Sequence, residues 1–196
     1  MSLLSELEPL LLRVPYGAAS RFRVALYRLL GMRIGHRTRI EGGGRTRRCA
    51  QIEIGDCNTF MQGSWLWPMD TDFAGIRIRV GNHNYFNRNV MIDACGLIEI
   101  GDENQFGPDV YLTDSNHTHG PGIVSKREGM KVGRIKIGNG CWIGAKAVIL
   151  KDVELGDRCV VGAGAVVTRS FPADSVIVGV PARTIAVRRA PGTTGA

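Results

Sequence analysis

Residues 137–167 read IGNGCWIGAKAVILKDVELGDRCVVGAGAVV, and this stretch decides the fold. An aliphatic residue recurs there every six positions, at Ile137, Ile143, Ile149, Leu155, Val161 and Val167. Glycine directly follows four of these six residues, and a small or β-branched residue stands four positions after each of the first five. A period of six fits neither an α-helix nor the two-residue alternation of a half-buried strand. It predicts a coil of short parallel strands in which each side buries one aliphatic and one small residue.

The same repeat extends outward from this stretch through most of the chain. It begins at Ile34 and, after a slip of two residues at Ile100, it continues as far as Leu112. Its interruptions fall at residues 42–48, 67–75 and 113–134. Insertions in a solenoid form loops that project from its wall, so we expect functional residues in the last two interruptions.

These limits predict three parts of the chain. Residues 1–33 are expected to form an N-terminal helical cap, and residues 34–183 a coil domain with a loop excursion at 113–134. Residues 184–196 are expected to form a C-terminal tail.

The N-terminal part carries helical patterns in place of the sixfold repeat. One helix is predicted around five leucines between residues 3 and 11. A second is predicted to start at Ser20, to end at Gly31 and to place its apolar residues on one face, namely Phe22, Ala25, Leu26, Leu29 and Leu30. Two interpretations remain open. The second helix is either a basic amphipathic helix that contacts a membrane or a lipid-linked substrate, or a cap over the open end of the coil.

The charge and cysteine content of the chain exclude some classes of function and favour others. The 196 residues carry a net charge of +7, and ten arginines lie within the first fifty positions. Such asymmetry is typical of an anionic ligand, a membrane surface or a solvated basic face, and the absence of a recognised binding module argues against nucleic acid. We see no signal peptide and no apolar run of about 20 residues. The five cysteines are odd in number and scattered, which favours a reducing, cytoplasmic location and a packing role for Cys141 and Cys159.

Several motifs beside the repeat are similar to those of one family. They are Tyr85-Phe86-Asn87-Arg88-Asn89, Leu112-Thr113-Asp114-Ser115-Asn116-His117, Cys141-Trp142-Ile143-Gly144, Gly162-Ala163-Gly164-Ala165-Val166-Val167-Thr168 and Gly179-Val180-Pro181-Ala182-Arg183. Together they resemble the left-handed parallel β-helix acyltransferases, and most closely the galactoside and maltose O-acetyltransferases and the O-acetyltransferases of polysaccharide biosynthesis. The resemblance implies an all-β, left-handed β-helix and a homotrimer. It also implies acetyl transfer from acetyl-CoA, without a metal, to a carbohydrate hydroxyl.

The resemblance also implies roles for individual residues around the loop. His117 matches the general base, and Asn87 matches an asparagine near the reacting centre. A neutral imidazole near pH 7 suits removal of a hydroxyl proton. His119, two residues later, is a second candidate that could contact the acceptor. Asp114 could orient an imidazole, and Asp93 lies close to an acidic acceptor-binding position.

A further set of residues is predicted to bind CoA by the same resemblance. Small residues would form the floor of a groove for the pantetheine arm, Trp142 would lie beside that arm, and polar residues would reach the nucleotide end. The set comprises Trp142, Gly144, Ala145, Ala163, Thr168, Arg169 and Arg183. Arginine suits phosphates because its guanidinium can bind them in a bidentate manner.

Other interpretations are kept open. A γ-type carbonic anhydrase shares the coil but needs three zinc-binding histidines. The chain has four histidines, and two of them, His117 and His119, lie only two residues apart in a loop, which is not the spacing of that family. A non-catalytic trimeric protein is also possible from the repeat alone. The excursion at 67–75 is a candidate contact for a sugar ring, with Trp65, Trp67, Met69, Asp70 and Asp72 in or beside it.

Overall fold

The computed structural model describes residues 17–69, 75–118 and 129–188, and in these residues the chain winds into a three-sided prism. Ile137 pairs with Leu155, which lies one coil of 18 residues further along the chain. Each coil adds a strand to each of three sheets, and almost all of these strands pair in parallel. The predicted parallel coil is therefore confirmed.

The three sheets are called face 1, face 2 and face 3, in the order in which the chain passes through them. Face 1 contains β1 (Arg33–Ile34), β4 (Ile52–Ile54), β7 (Ile78–Val80), β10 (Leu97–Ile100), β15 (Arg134–Ile137) and β18 (Val153–Leu155). Face 2 contains β2 (Arg39–Ile40), β5 (Thr59–Phe60), β8 (Tyr85–Phe86), β11 (Gln105–Phe106), β16 (Trp142–Ile143), β19 (Val160–Val161), β21 (Ser175–Val178) and the antiparallel β22 (Arg183–Val187). Face 3 contains β3 (Arg45–Thr46), β6 (Trp65–Pro68), β9 (Met91–Ala94), β12 (Tyr111–Thr113), β17 (Val148–Ile149) and β20 (Val166–Val167).

Three elements lie outside these faces. A hairpin of β13 (Ser115–His117) and β14 (Met130–Val132) pairs antiparallel. A short 3-10 helix spans Cys49–Gln51, and an α-helix, called α1, occupies residues 17–29.

The core is built from the repeat positions of all three faces. Phe60, Phe86 and Phe106 stack inside face 2, with ring centroids 4.3 and 4.6 Å apart. At the corner between faces 1 and 2, buried Asn84 and Asn104 accept hydrogen bonds through their side chains from backbone N–H groups of the following coil. Cys141 and Cys159 continue this inward position, are buried and are free thiols, which agrees with the predicted packing role.

The interruptions of the repeat all lie at the corner where face 3 passes to face 1, which is called the loop corner. The first is smaller than predicted, because Arg45 and Thr46 form a strand and only the 3-10 helix interrupts the coil. The second also starts later, because Trp67 and Pro68 belong to β6. The two-residue slip is accommodated by Cys95 and Gly96, and the long excursion leaves as the β13–β14 hairpin.

The C-terminal part also differs from the prediction. Residues 183–187, which were placed at the junction of coil and tail, form β22 and pair with β21. The described part of the predicted tail therefore extends face 2.

Helix α1 lies across the first coil in an orientation that the sequence did not predict. Gly31 has a φ of 93° and ends the helix as expected, but Ser20 lies within the helix and accepts a hydrogen bond from the Ile40 N–H at 2.9 Å. The expected apolar face is exposed, and Phe22 retains 73% of its accessible surface. Arg23 instead points inward and donates to the Ile40 carbonyl at 2.7 Å. Polar contacts determine the orientation of the helix, because the backbone groups at an open coil end need hydrogen-bond partners.

Replacing Arg28 with alanine is expected to lower the free energy of unfolding by about 1–2 kcal/mol. Its guanidinium donates to the carbonyls of Ile34 and Gly35 at 2.8 Å each, and both acceptors would lose these bonds. Arg21, which is exposed on the same helix, provides the matched control. Urea unfolding of both alanine variants measures the difference, and equal stabilities would contradict the capping role of Arg28.

Candidate active site

The candidate base lies on the hairpin that leaves the loop corner. His117 is the last residue of β13, pairs with Met130 and is exposed. Two strands of the hairpin hold its backbone, so the imidazole projects from a defined position on the wall of the prism. His119 lies outside the described residues.

Asp114 anchors the base of that hairpin. It is fully buried, and its Oδ1 and Oδ2 accept hydrogen bonds from the N–H groups of Cys95 at 2.7 Å and Gly96 at 2.9 Å. Its carbonyl also accepts from Gly133 N–H at 2.7 Å, which closes the hairpin. Burial raises the pKa of the Asp114 carboxyl to about 6. We correct its predicted role accordingly: this carboxylate binds the preceding coil and the hairpin, and it is buried away from any acceptor.

Asp93 occupies the outer surface of face 3. It pairs in register with Trp67 on one side and Thr113 on the other. The Tyr111 hydroxyl donates to its Oδ2 at 3.1 Å. Burial raises the pKa of the Asp93 carboxyl, and the bond from Tyr111 and the charge of Arg47 oppose that rise.

An aromatic platform surrounds Asp93 on this face. The rings of Trp65 and Trp67 lie 5.6 Å apart, and the guanidinium groups of Arg45 and Arg47 lie over them at 5.1 and 5.0 Å. The sequence reasoning singled out the tryptophans and missed the two arginines and Tyr111. The sequence did contain a sign of these contacts, because Arg45 and Arg47 precede Trp65 and Trp67 by one coil of twenty residues.

The corner where face 2 passes to face 3 has a floor of nearly bare backbone and is called the groove corner. A Cβ added to Gly107 would lie 2.5 Å from the nitrogen of Ala145, and one added to Gly144 would lie 2.6 Å from that of Ala163. Only glycine allows the coils to approach so closely here. Asn87 opens this corner, and its Oδ1 accepts from the Arg88 N–H at 2.8 Å. The small residues predicted to line the pantetheine arm, Gly144, Ala145 and Ala163, therefore lie next to one another at this corner.

The other predicted CoA residues do not all lie at this corner. Trp142 lies on face 2 with 58% of its surface exposed, and Arg183 begins β22 just after the groove corner. Thr168 and Arg169 lie at the loop corner, where the Arg169 guanidinium stands 5.3 Å from the Phe171 ring.

Face 3 therefore separates the candidate residues of one chain into two groups. His117 and Thr168 lie at the loop corner, whereas Asn87, Ala145 and Ala163 lie at the groove corner. The four or five strand residues between the corners span roughly 15 Å at about 3.3 Å per residue. Within one protomer the candidate base and the predicted groove floor are on opposite edges of this face.

No group of three or more histidine, cysteine or acidic side chains suited to a metal occurs within residues 17–69, 75–118 and 129–188. In the same residues, no helix is long and apolar enough to cross a membrane.

Comparison with known proteins connects the repeat to one family. Residues 134–169 match the family described as bacterial transferase hexapeptide (six repeats). Over these residues the coil is similar to the hexapeptide repeat of bacterial transferases. The resemblance drawn from the motifs is confirmed by this match and by the relatives that follow.

Two curated relatives share the repeat and the segments around it. Nodulation protein L of Rhizobium meliloti is 42% identical over 117 residues, which cover 59% of this chain and 62% of the relative. Galactoside O-acetyltransferase of Escherichia coli is 35% identical over 127 residues, which cover 65% of this chain and 62% of the relative. The chain thus matches slightly less than two thirds of the length of these relatives.

A solved structure supports the same fold over a longer range. A hexapeptide-repeat acetyltransferase from Vibrio cholerae, in complex with acetyl coenzyme A, superimposes with a TM-score of 0.59 at 25% identity. The match covers 86% of this chain and 78% of the other. The chain is therefore a left-handed parallel β-helix, as predicted.

Proposed function

We propose that the protein is an acetyl-CoA-dependent O-acetyltransferase that acetylates a carbohydrate hydroxyl in the cytoplasm. The observation that carries this proposal is the exposed His117 on its anchored hairpin, beside a coil that carries the transferase hexapeptide repeat. The named activities of the galactoside relative and of the acetyl coenzyme A complex agree with it. The experiment is transfer of labelled acetyl from acetyl-CoA to a panel of mono- and oligosaccharides, with mass spectrometry of the products. No acetylated product with any saccharide would contradict the proposal.

The proposed reaction is a direct transfer without an acyl-enzyme. The imidazole of His117 removes the proton of the acceptor hydroxyl as its oxygen attacks the thioester carbonyl of acetyl-CoA. Backbone N–H groups stabilise the tetrahedral oxyanion. The C–S bond then breaks, and the proton on the imidazole passes to the departing CoA thiolate.

The groove corner is the proposed site of the pantetheine arm. Its floor of Gly144, Ala145 and Ala163 lacks side-chain bulk, so a narrow chain can lie close to the backbone amides. Trp142 flanks the groove on face 2, and Arg183 is available for phosphate at its end. Of the predicted residues at the loop corner, Arg169 could bind the same phosphates of a CoA held by a neighbouring chain.

Replacing Ala163 with phenylalanine is expected to raise KM for acetyl-CoA at least about tenfold, because the ring would fill the groove. Ala19, exposed on α1 at the far end of the coil, is the matched position for the same substitution. Steady-state kinetics of both variants provide the measurement. An unchanged KM in Ala163→Phe would place the donor elsewhere.

We further propose a trimer whose sites lie between protomers. Face 1 carries alternating charges, in which Arg79 pairs with Glu99 at 2.8 Å and Lys136 with Glu154 at 2.9 Å, and such a surface suits solvent. Face 3 carries candidate residues on both edges, so a second copy is needed to bring a His117 to a groove corner.

Mixing two impaired variants, assayed at an acetyl-CoA concentration near the wild-type KM, tests this shared site. In a hybrid of His117→Ala and Ala163→Phe protomers, some interfaces combine an intact base from one chain with an intact groove from the other. Co-expression should therefore restore part of the activity, and light scattering should give the mass of a trimer. A monomeric mass, or no recovery in the hybrid, would overturn the shared site but leave the activity itself to be judged by the transfer assay.

The aromatic platform is the proposed acceptor surface. Trp65 and Trp67 offer flat apolar rings for a pyranose, and Asp93 supplies a carboxylate beside them. A Trp67→Ala variant that lost activity with free and linked saccharides alike would support this placement.

A further inference from the structure

Helix α1 presents an apolar stripe to the outside of the prism. Phe22, Leu26 and Leu29 retain 73%, 41% and 84% of their accessible surface, and Leu30 beside them retains 56%. The first three follow a spacing of four and three residues, so they lie on one side of the helix. Three large side chains in a row form a patch that a water-exposed helix rarely displays without a partner.

Within the described residues, the core of the same protomer does not use the stripe. The inward side of α1 is already filled by Val24, which is 7% exposed, and by the polar contacts of Ser20, Arg23 and Arg28 with the first coil. The apolar residues face outward because side chains that hydrogen-bond to the coil end, both donors and an acceptor, occupy the inward side of the helix.

Three arginines ring the end coil that α1 lies across. The first strands of the three faces begin with Arg33, Arg39 and Arg45, which are six residues apart and exposed. The next coil has Glu53, Thr59 and Trp65 at the paired positions, so the ring belongs to the end coil. The arginines also lie beside the helix: Arg33 shares a groove with Arg28, Arg39 shares one with Ser20, and Arg45 shares one with Leu30.

We propose that this end of the prism docks on a membrane surface that contains anionic phospholipid. Apolar side chains on a helix insert at the boundary between headgroups and acyl chains, and a ring of arginine beside it binds the phosphates and anionic headgroups. A second copy placed end to end would bring the two arginine rings together, and their like charges would repel. A lipid surface provides an apolar phase for the stripe and anionic groups for the arginine ring.

End-on docking also sets the height of the candidate active site. The hairpin that carries His117 leaves the coil three turns after the end coil, at about 4.8 Å per turn. The imidazole then stands roughly 15 Å above the headgroups. Docking itself does not depend on the proposed acetyl transfer.

Vesicle sedimentation of the full chain tests the proposal. The protein should sediment with vesicles of phosphatidylcholine that contain about 30% phosphatidylglycerol, far less with phosphatidylcholine alone, and less again near 0.5 M salt. The double variant Phe22→Ser/Leu29→Ser should lower the partition coefficient at least about tenfold. The control Ile185→Ser/Val187→Ser changes two apolar residues that are 65% and 60% exposed near the opposite end, and it should bind like the wild type.

Three outcomes would overturn the proposal. They are no sedimentation of the wild type with anionic vesicles, equal binding by the stripe variant, and equal loss of binding in the control variant. If the stripe variant instead lowered the molar mass in solution while the wild type ignored vesicles, a second copy would be the occupant. Circular dichroism of each variant verifies that α1 and the coil remain folded.

Discussion

Replacing His117 with alanine is expected to lower kcat for acetyl transfer by a factor of about 10³ and to leave KM for acetyl-CoA nearly unchanged. The hydroxyl of a sugar is a poor nucleophile until its proton is removed, and no other described histidine lies on the hairpin. The proposed donor groove at Gly144 and Ala163 belongs to the coil, and its backbone is independent of this side chain. Steady-state rates with saturating acetyl-CoA measure the change.

His36 provides the control for this substitution. Its side chain is 94% exposed and lies in the first coil, so His36→Ala should keep wild-type kcat. A rate within about threefold of the wild type in His117→Ala would exclude this imidazole as the general base. Retained activity that was then lost in His119→Ala would assign the base to the second histidine.

Replacing Asp114 with alanine is expected to lower the free energy of unfolding by about 3 kcal/mol at pH 5. The N–H groups of Cys95 and Gly96 would lose their acceptors in the interior. Because the same residue closes the hairpin through Gly133, acetyl transfer should fall as well. Urea unfolding at pH 5 measures the stability.

The pH dependence of this difference has a defined sign. Burial raises the pKa of the Asp114 carboxyl from 3.8 to about 6, so the folded state binds the extra proton between these values. The stability contributed by Asp114 is complete below about pH 4 and declines as the pH rises through about 6. The destabilisation in Asp114→Ala should therefore be smaller at pH 7 than at pH 5, by about 1 kcal/mol.

Glu154 is the control for Asp114. Its carboxylate pairs with Lys136 on the exposed surface of face 1, and Glu154→Ala should leave the stability close to that of the wild type. A stability loss in Asp114→Ala no larger than this control, or a difference that grows toward pH 7, would contradict the anchoring role.

Much of the fold could be predicted because the repeat is a local rule. Each aliphatic residue at a repeat position from Ile137 to Val167 occupies the core, and glycine follows where neighbouring coils approach too closely for a Cβ. The motif that contains His117 was also recognisable, since it directly follows Leu112, a repeat position.

The packing of α1 could not be predicted from its pattern. Apolar periodicity alone suggests that Phe22 and Leu29 are buried, but the coil end needs donors for its carbonyls, and Arg23 and Arg28 supply them. The role of Asp114 was hidden for a similar reason. Its partners, Cys95 and Gly96, lie in a two-residue slip whose position becomes clear only when the coils are stacked.

The sequence by itself determined the coil, its register and the candidate base, because a six-residue period places the same chemistry at the same depth in every turn. Only the tertiary structure decided which corner each candidate occupies. His117 emerges at the loop corner and Ala163 lies at the groove corner, on opposite edges of face 3. Insertions of different length change the number of residues between two positions without changing the corner at which each position lies. Spacing along the chain therefore cannot reveal that separation, whereas the stacking of the coils, which is a long-range property, reveals it.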